Sequence, residues 1–181
     1  MEDVPASPKT CPLPVRRHPW RAEQPCRDSR RRVDVADPTV TSPARPLKTP
    51  DDSRVVLAHI MSEHDTNLYG TIHGGVMMKL IDDAAAAAAG RHADGPAVTV
   101  SVDRMTFLAP VRAGDLLSVE AGLERAGRTS MTVGVRVTAE RWNHSGPATE
   151  VATAFLTFVA VDAEGSPRPV PALDTSSAGI S

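Results

Sequence analysis

The chain has 181 residues, which is enough for one domain of ordinary size with additional segments, and a formal net charge of -2. This near-neutral balance gives no overall attraction to nucleic acid or acidic membranes, and we expect neither as a partner. The longest apolar run is far below the ~18 residues that a membrane-spanning helix requires, and the N-terminus lacks the apolar core of a secretion signal. The sequence therefore predicts a soluble cytoplasmic protein.

The two ends of the chain differ in composition from its middle. Residues 1–50 contain most of the prolines and the arginine run at 30–32, without helical or strand periodicity. Both cysteines, Cys11 and Cys26, lie in this segment, so neither a disulfide nor a thiol nucleophile is expected in the core. We expect residues 1–50 to be a disordered extension, in preference to a tail that binds nucleic acid or a protein partner. Residues 172–181 are expected to be a disordered C-terminal tail.

The predicted domain, residues 51–171, begins with a strand and a helix. The segment RVVLAHIM, starting at Arg54, indicates a short strand, and the polar segment 64–70 indicates a turn-rich loop. The pair Gly74–Gly75 then opens a helix that we expect to end near Arg91.

Four strands follow this helix. Val98, Val100 and Val102 alternate with polar residues, which is typical of a half-buried strand, and the next two strands have the same period. The last strand, EVATAFLTFVAV, is apolar on both faces, as expected of a central strand covered on both sides. Short turns predict hairpins, and therefore antiparallel neighbours, at 112–115, 125–128 and 143–146.

These elements predict an α+β fold with one long helix against an antiparallel sheet of about five strands. A sheet of this size that packs on a single helix leaves an edge or a face exposed. We therefore expect this edge or face to be covered by association.

Two adjacent aspartates in the helix call for different explanations. Asp83 has Lys79 one turn earlier, and an exposed ion pair explains it. Asp82 lies on another face among small residues and has no cation at helical spacing. Periodicity alone leaves open whether Asp82 is merely exposed or is a reactive carboxylate beside a channel left by the alanines.

The start of the helix supplies further candidates. Free N–H groups at Gly74 and Gly75 could stabilise an oxyanion, although a Gly-Gly pair is also common in ordinary turns. His73 could be a general base, but no second ligand stands at metal-binding spacing, and we favour a residue that shapes the loop. Asn67 could orient water or a carbonyl, or could stabilise a turn. The remaining histidines carry no signal of their own: His59, His64, His92 and His144.

Several segments together resemble the hotdog-fold acyl-CoA thioesterases. They are HDTNLYGTIHGGVMMKLIDDAAAAAAGRH, VTVSVDRMTFLAPVRAGD, AGRTSM and TFVAVDAEGSPRPVP. The resemblance spans about residues 54–171 and implies a helix wrapped by an antiparallel sheet. It also implies a homodimer joined through the sheet edge, which in many members is further assembled into a hexamer as a trimer of dimers.

The same resemblance implies roles for individual residues. Asp82 corresponds to the catalytic aspartate and Asn67 to the active-site asparagine, one from each subunit. Asp82 would activate water or attack the thioester directly, and backbone N–H groups at Gly74 and Gly75 would hold the oxyanion. Arg128, with Thr129 and Ser130, would contact the coenzyme A part of the substrate.

Nothing in the sequence calls for a metal or a redox cofactor, and coenzyme A would be part of the substrate. The unbroken alanine run at 84–89 departs from the family pattern, which leaves the acyl chain length open. Two other functions stay open: a hotdog-fold hydratase or dehydratase with His73 as base, and a non-catalytic acyl-CoA-binding module. Loss of hydrolysis on replacing Asp82 would distinguish the thioesterase from both.

Overall fold

A computed structural model describes residues 45–141, 143, 146–174 and 176 of the chain. In chain order its elements are β1 (Leu47–Lys48), α1 (Pro50–Ser53), β2 (Val55–Ile60), a 3-10 turn (Glu63–Asp65), α2 (Gly74–Ala93), β3 (Ala97–Phe107), β4 (Asp115–Ala126), β5 (Ser130–Arg141), β6 (Thr149–Ala160) and β7 (Ala172–Leu173). The strand, the helix and the four strands expected from the sequence are all present.

The main sheet has five strands in the order β2-β4-β5-β6-β3, and all of its neighbours are antiparallel. Helix α2 packs across one face of it. Alternate residues of β4 and β5 point toward the helix and are buried, which explains their two-residue period. The predicted α+β architecture is confirmed.

Helix α2 contacts the sheet mainly through alanine. The fully buried residues on its sheet-facing side are Ile81, Ala84, Ala85, Ala88 and Ala89. Methyl side chains allow the helix axis to lie close to the sheet, so these alanines fill the interface between the layers. In the part of the chain that the structure describes, these four alanines are fully buried and do not line an open channel.

The ends of α2 are fixed by specific groups. His73 is the N-cap, and its Nδ1 accepts a hydrogen bond from the Gly75 N–H at 3.0 Å. Asp94 ends the helix in the left-handed conformation, with a φ of 53°. The Lys48 ammonium donates to the carbonyls of Arg91 and His92, where a cation also complements the helix dipole. The helix therefore ends two residues beyond the expected Arg91.

One of the three predicted hairpins is wrong. The turn at 112–115 joins β3 to β4, but these strands are not neighbours, because β3 pairs with β6 and β4 lies between β2 and β5. The segment between Phe107 and Asp115 therefore runs from the edge strand β3 across the sheet to β4, which lies next to the opposite edge strand β2. The β4–β5 and β5–β6 hairpins are confirmed.

The burial expected for two strands also differs. The β3 valines are exposed in the single chain, Val100 at 60 %, because β3 is an edge strand with two register irregularities. Strand β6 is an interior strand, yet only its helix-facing side is covered, and Phe155 on the other side is 38 % exposed.

Two short strands lie just outside the predicted domain limits of 51–171. Strand β1 pairs in parallel with β7, and both lie within segments that we expected to be disordered. The Ala172 N–H donates to the Pro46 carbonyl at 2.7 Å, and the Asp174 N–H donates to the Lys48 carbonyl at 2.8 Å. The arginine run at 30–32 and both cysteines lie outside the described residues, as does His144.

Candidate functional site

Asp82 is held by a threonine from the neighbouring edge strand. The Thr99 hydroxyl, on β3, donates to Asp82 Oδ1 at 2.8 Å. Asp82 is half-buried, and among the described residues its Oδ2 has no hydrogen-bond donor. The carboxylate therefore has a fixed orientation and one oxygen that is free to accept a proton from a bound water.

Asp83 has the contact that its spacing predicts. Its carboxylate pairs with the Lys79 ammonium one turn earlier on the exposed side of α2. Because consecutive residues of a helix point about 100° apart, Asp83 faces solvent while Asp82 faces β3. The predicted ion pair is confirmed, and only one of the two aspartates lies against another element.

Asn67 organises the loop that precedes α2. Its Oδ1 accepts hydrogen bonds from the N–H groups of Tyr69 and Thr71, and its Nδ2 donates to the Thr71 hydroxyl at 2.9 Å. Side chain and backbone together close a turn over 67–71. Within one chain the Asn67 amide is thus engaged in its own loop, and it does not contact Asp82.

The helix start presents one free N–H group rather than two. The Gly75 N–H is bound by His73, whereas the Gly74 N–H has no acceptor among the described residues. Eight residues at 1.5 Å each place Gly74 about 12 Å along the helix from Asp82. One chain therefore cannot bring the predicted oxyanion donors and Asp82 to the same reacting carbon.

The predicted coenzyme A contact residues form the tight turn between β4 and β5. The Gly127 N–H donates to the Ser130 carbonyl at 2.7 Å and closes this turn. Arg128 is exposed at its tip, and within the described part of the chain its guanidinium has neither an ion pair nor a hydrogen-bond acceptor. An exposed, unpaired guanidinium is suited to bind phosphate.

Two cavities flank the start of α2. One of 590 Å³ is bordered by three histidines that sequence spacing did not connect, His59, His64 and His73. A second, of 310 Å³, lies on the side of Gly74 and Phe107. Across the described residues no group of three or more side chains is arranged to hold a metal ion.

Residues 69–141 match the family model of the thioesterase superfamily. An uncharacterized acyl-CoA thioester hydrolase of Bacillus subtilis is 38% identical over 130 residues, which are 69% of this chain and 75% of that protein. The chain belongs to the thioesterase superfamily. Another relative, the acyl-CoA thioester hydrolase of Salmonella typhimurium, is 36% identical over 119 residues, which are 65% of this chain and 90% of that protein.

Solved structures of thioesterases have the same fold. A hexameric acyl-CoA thioesterase matches with a TM-score of 0.69 and 38% identity, over 71% of this chain and 82% of that one. An acyl-CoA hydrolase from Staphylococcus aureus, in complex with butyryl coenzyme A and coenzyme A, matches with a TM-score of 0.68 and 36% identity. This match covers 71% of this chain and 78% of that one. The resemblance to the hotdog-fold thioesterases is thereby confirmed.

Sequence reasoning missed Thr99 in this thioesterase domain. Thr99 stands 17 residues after Asp82, and only the packing of α2 against β3 brings the two together. The available signal was a single threonine between two valines at the start of an edge strand, and threonine is common in strands.

Proposed function

We propose that the protein hydrolyses acyl-CoA thioesters to a free acid and coenzyme A. The observation that carries this proposal is the carboxylate of Asp82, fixed by Thr99 on one oxygen and open on the other, in a member of the thioesterase superfamily. Two of its relatives are named as acyl-CoA thioester hydrolases.

The spacing of three residues supports the same assignment. The Staphylococcus aureus hydrolase has been studied as alanine variants of an asparagine, an aspartate and a threonine, which stand 15 and 17 residues apart in that order. Asn67, Asp82 and Thr99 have the same two spacings. We assign these three residues to the active site.

In the proposed reaction, Asp82 acts through its free oxygen. Oδ2 takes a proton from water as the water oxygen attacks the thioester carbon, and the carbonyl electrons move onto oxygen to give a tetrahedral oxyanion. The intermediate then expels the thiolate of coenzyme A, which takes up the proton held by Asp82. Direct attack by Asp82 would instead form an anhydride that water hydrolyses, and isotope transfer from labelled water into Asp82 would identify that route.

The complete site requires a second copy of the chain. Because Asp82 and Gly74 are about 12 Å apart along one helix, the oxyanion donor that meets Asp82 would come from the partner, together with its Asn67. The exposed valines of edge strand β3 lie beside Thr99 and offer the surface on which a partner strand would pair. We therefore propose a homodimer joined at β3, and further assembly of such dimers into a hexamer, as in the hexameric thioesterase that it matches.

The decisive experiment compares two adjacent aspartates. Release of free thiol from short- to long-chain acyl-CoAs is measured for the native protein, Asp82→Asn and Asp83→Asn. Asp82→Asn should lower kcat by roughly 10²- to 10⁴-fold, as expected for loss of a general base. Asp83→Asn removes only an exposed ion pair and should retain activity within about twofold.

Three other results would contradict the proposal in different ways. Equal loss in both variants would indicate a structural effect on α2. Full activity of Asp82→Asn would remove this residue from the mechanism. A native protein that binds acyl-CoA, measured by calorimetry, but releases no thiol would be a binding module or an enzyme of a different reaction class.

A further inference from the structure

A cavity of 310 Å³ lies at the start of α2, next to the end of β3. This volume is at the small end of the range of about 300 to 1,000 Å³ that small-molecule sites usually have. Of the described residues that line it, Thr71 alone has a polar side chain, and the others are glycine or apolar. A cavity with this lining is suited to a short apolar group.

The floor of the cavity is part of the core, whereas its rim is open. Ile72, Met77 and Val111 are at most 7 % exposed, and the Ile72 N–H donates to the Val111 carbonyl at 2.8 Å, which joins two of the segments that line the cavity. Phe107 and Leu108 lie on the rim and are 48 % and 52 % exposed. The side chain at position 107 can therefore change the width of the entrance without altering the core.

Phe107 lies directly beside the open backbone donor of α2. A Cβ atom placed on Gly74 would be 3.8 Å from Cζ of the Phe107 ring. The Gly74 N–H, which has no acceptor among the described residues, is the donor that we assign to the oxyanion. The thioester carbon carries both that oxygen and the acyl chain. A carbonyl oxygen bound at Gly74 therefore places the first atoms of the chain at the mouth of the cavity.

Two-fold pairing of β3 with its copy would bring this cavity to the catalytic carboxylate. Asp82 is bound by Thr99 near the start of β3, whereas Gly74 lies beside Phe107 at the end of the same strand. When two copies of an edge strand pair in antiparallel fashion, the start of one lies opposite the end of the other. The cavity of one subunit would thus open toward the Asp82–Thr99 pair of the other.

The other spaces beside α2 suit an acyl chain less well. The sheet-facing alanines are fully buried, so the interface that they fill has no room for a chain. The cavity of 590 Å³ on the other side of the helix start is lined by the charged side chains of Asp65 and Lys79 together with three histidines. Within the described residues, the cavity at Phe107 is the apolar space that adjoins the oxyanion donor.

We propose that this cavity holds the acyl chain of the substrate and that Phe107 sets the upper limit of chain length, so that the protein acts on short-chain acyl-CoAs. Methylene groups that enter the cavity are removed from water, which favours their binding. A chain longer than the cavity meets the Phe107 ring or leaves its end in solvent. This inference rests on the proposed hydrolysis of acyl-CoA and adds the size of the acyl group to it.

The test changes the size of the side chain at position 107 in both directions. The kcat/KM values for butyryl-, octanoyl- and dodecanoyl-CoA are measured for the native protein, Phe107→Leu and Phe107→Trp. The native protein should prefer butyryl-CoA to dodecanoyl-CoA. The ratio of kcat/KM for octanoyl-CoA to that for butyryl-CoA should rise roughly tenfold in Phe107→Leu and fall roughly tenfold in Phe107→Trp, because the fit of even one methylene group changes discrimination by about 10-fold or more.

Opposite shifts in the two variants cannot result from a general loss of stability, which would lower activity with every chain length. If both variants change kcat/KM by one factor for all three substrates, Phe107 does not contact the acyl chain and the inference is wrong. A native protein that hydrolyses dodecanoyl-CoA as efficiently as butyryl-CoA would overturn the limit on chain length.

Phe155→Leu and Phe155→Trp are the matched controls. Phe155 is also a partly exposed phenylalanine, at 38 %, but it lies on β6 and is not among the residues that line the cavity. Both variants should keep the chain-length profile of the native protein. If they shift the profile as much as the changes at Phe107 do, the effect does not arise in the cavity and the assignment is wrong.

A binding measurement separates this inference from the proposed function. The S-butyl and S-octyl thioethers of coenzyme A, which cannot be hydrolysed, are titrated calorimetrically into the native protein and both Phe107 variants. A ratio of octyl to butyl affinity that rises in Phe107→Leu and falls in Phe107→Trp supports the acyl cavity even if the protein hydrolyses nothing. The same ratio in all three proteins overturns the cavity even if hydrolysis of acyl-CoA is fully established.

Discussion

At the scale of single residues, a hydrogen bond from Thr99 distinguishes Asp82 from Asp83. Both carboxylates lie at the same level of α2, and only their directions differ. The one that faces solvent takes a lysine as partner, and the one that faces β3 takes a hydroxyl. A neutral donor fixes the carboxylate without adding a counter-charge, which suits a group that must accept a proton.

Removing that hydroxyl should impair catalysis without unfolding the protein. Thr99→Val keeps the shape of the side chain and deletes the donor, so Asp82 becomes free to rotate away from its reactive position. We expect kcat for acyl-CoA to fall by roughly 10- to 100-fold, because displacement of a reacting group by about 1 Å can lower a rate by about 10²-fold. Thr99→Ser retains the hydroxyl and should retain most of the activity.

The measurement is steady-state kinetics of both variants, with thermal unfolding as a check on the fold. A Thr99→Val enzyme with native kcat would show that the hydrogen bond is incidental. If Thr99→Ser is as impaired as Thr99→Val, the methyl group is what matters, and the role assigned to the hydroxyl is wrong.

The face of Asp82 was predictable, whereas its partner was not. Helical periodicity separates adjacent residues without any tertiary information. The contact with Thr99 depends on where an edge strand lies relative to the helix, and sequence spacing does not specify this. The same limit applies to the open N–H at Gly74, because the role of His73 as a helix cap decides which of two glycine N–H groups is available.

At the scale of elements, helix α2 ends in a cluster that ties the two outer segments of the domain together. The buried ring of His92 faces the Pro171 carbonyl through Nε2 at 3.1 Å, just before β7. Lys48, from β1, binds the last carbonyls of the helix. Arg168 donates to the Ala93 carbonyl at 2.8 Å from the C-terminal side. The last turn of α2 is thus enclosed by residues from both ends of the domain.

Burial lowers the pKa of His92 below its ordinary value of 6.5, and the nearby Lys48 ammonium acts in the same direction. The Pro171 carbonyl and the carboxylates of Asp94 and Asp52 act in the opposite direction. Among the described residues the buried Nδ1 has no hydrogen-bond partner, so a proton added there would remain unsatisfied. The folded state therefore favours neutral His92.

The free energy of unfolding should consequently decrease as the pH falls below about 6.5. Over that range the unfolded chain takes up a proton at His92 and the folded chain does not, which favours the unfolded state. His92→Gln should remove the contribution of His92 to the decrease in the free energy of unfolding between pH 7.5 and 5.5. Urea denaturation at each pH measures this free energy. His59→Gln, the same substitution at an exposed histidine, is the control.

The pH range from 7.5 to 5.5 separates the effect of His92 on stability from the effects of the carboxylates. The aspartates whose hydrogen bonds lower their pKa below 3.8 lose their stabilising effect only at more acid pH; they are Asp52, Asp65, Asp103 and Asp174. If the native protein and His92→Gln lose equal stability between pH 7.5 and 5.5, protonation of His92 is not coupled to folding.

Element types were predictable from periodicity, and their arrangement was predictable only in part. The turns at 112–115 and 125–128 carry similar glycine and charge signals, yet one crosses the sheet and the other closes a hairpin. Turn chemistry specifies local chain reversal, and the destination of the next strand depends on which sheet edge is still open. Strands β1 and β7 were missed because two-residue strands have no period to detect.

At the scale of the whole molecule, the sheet formed by the described residues has two unpaired edges with different surroundings. Strand β2 forms one edge and β3 the other, and Val56 and Val100 are exposed on them at 55 % and 60 %. Of these two described strands, β3 is the one with a residue that donates a hydrogen bond to Asp82. A partner that completes the active site would therefore join at β3. If the partner covers the exposed valines of β3, this strand becomes half-buried, as its alternating sequence predicts.

Charge placed on β3 should consequently separate the subunits and remove activity together. Val100→Glu would bury a carboxylate in the proposed interface and, in a two-fold pairing, oppose two such charges. We expect a monomer by light scattering, with unchanged circular dichroism. Thioesterase activity should fall by about 10²-fold or more, since even one lost oxyanion donor has an effect of that size.

Val56→Glu places the same charge at nearly equal exposure on the opposite edge. It should leave the dimer and its activity intact, although higher assembly through that edge would be weakened if the hexamer uses it. A fully active Val100→Glu monomer would mean that one chain holds a complete site, in conflict with the distance between Gly74 and Asp82. Dissociation of the dimer by Val56→Glu instead would place the catalytic interface at β2 and leave the Asp82–Thr99 pair without a partner.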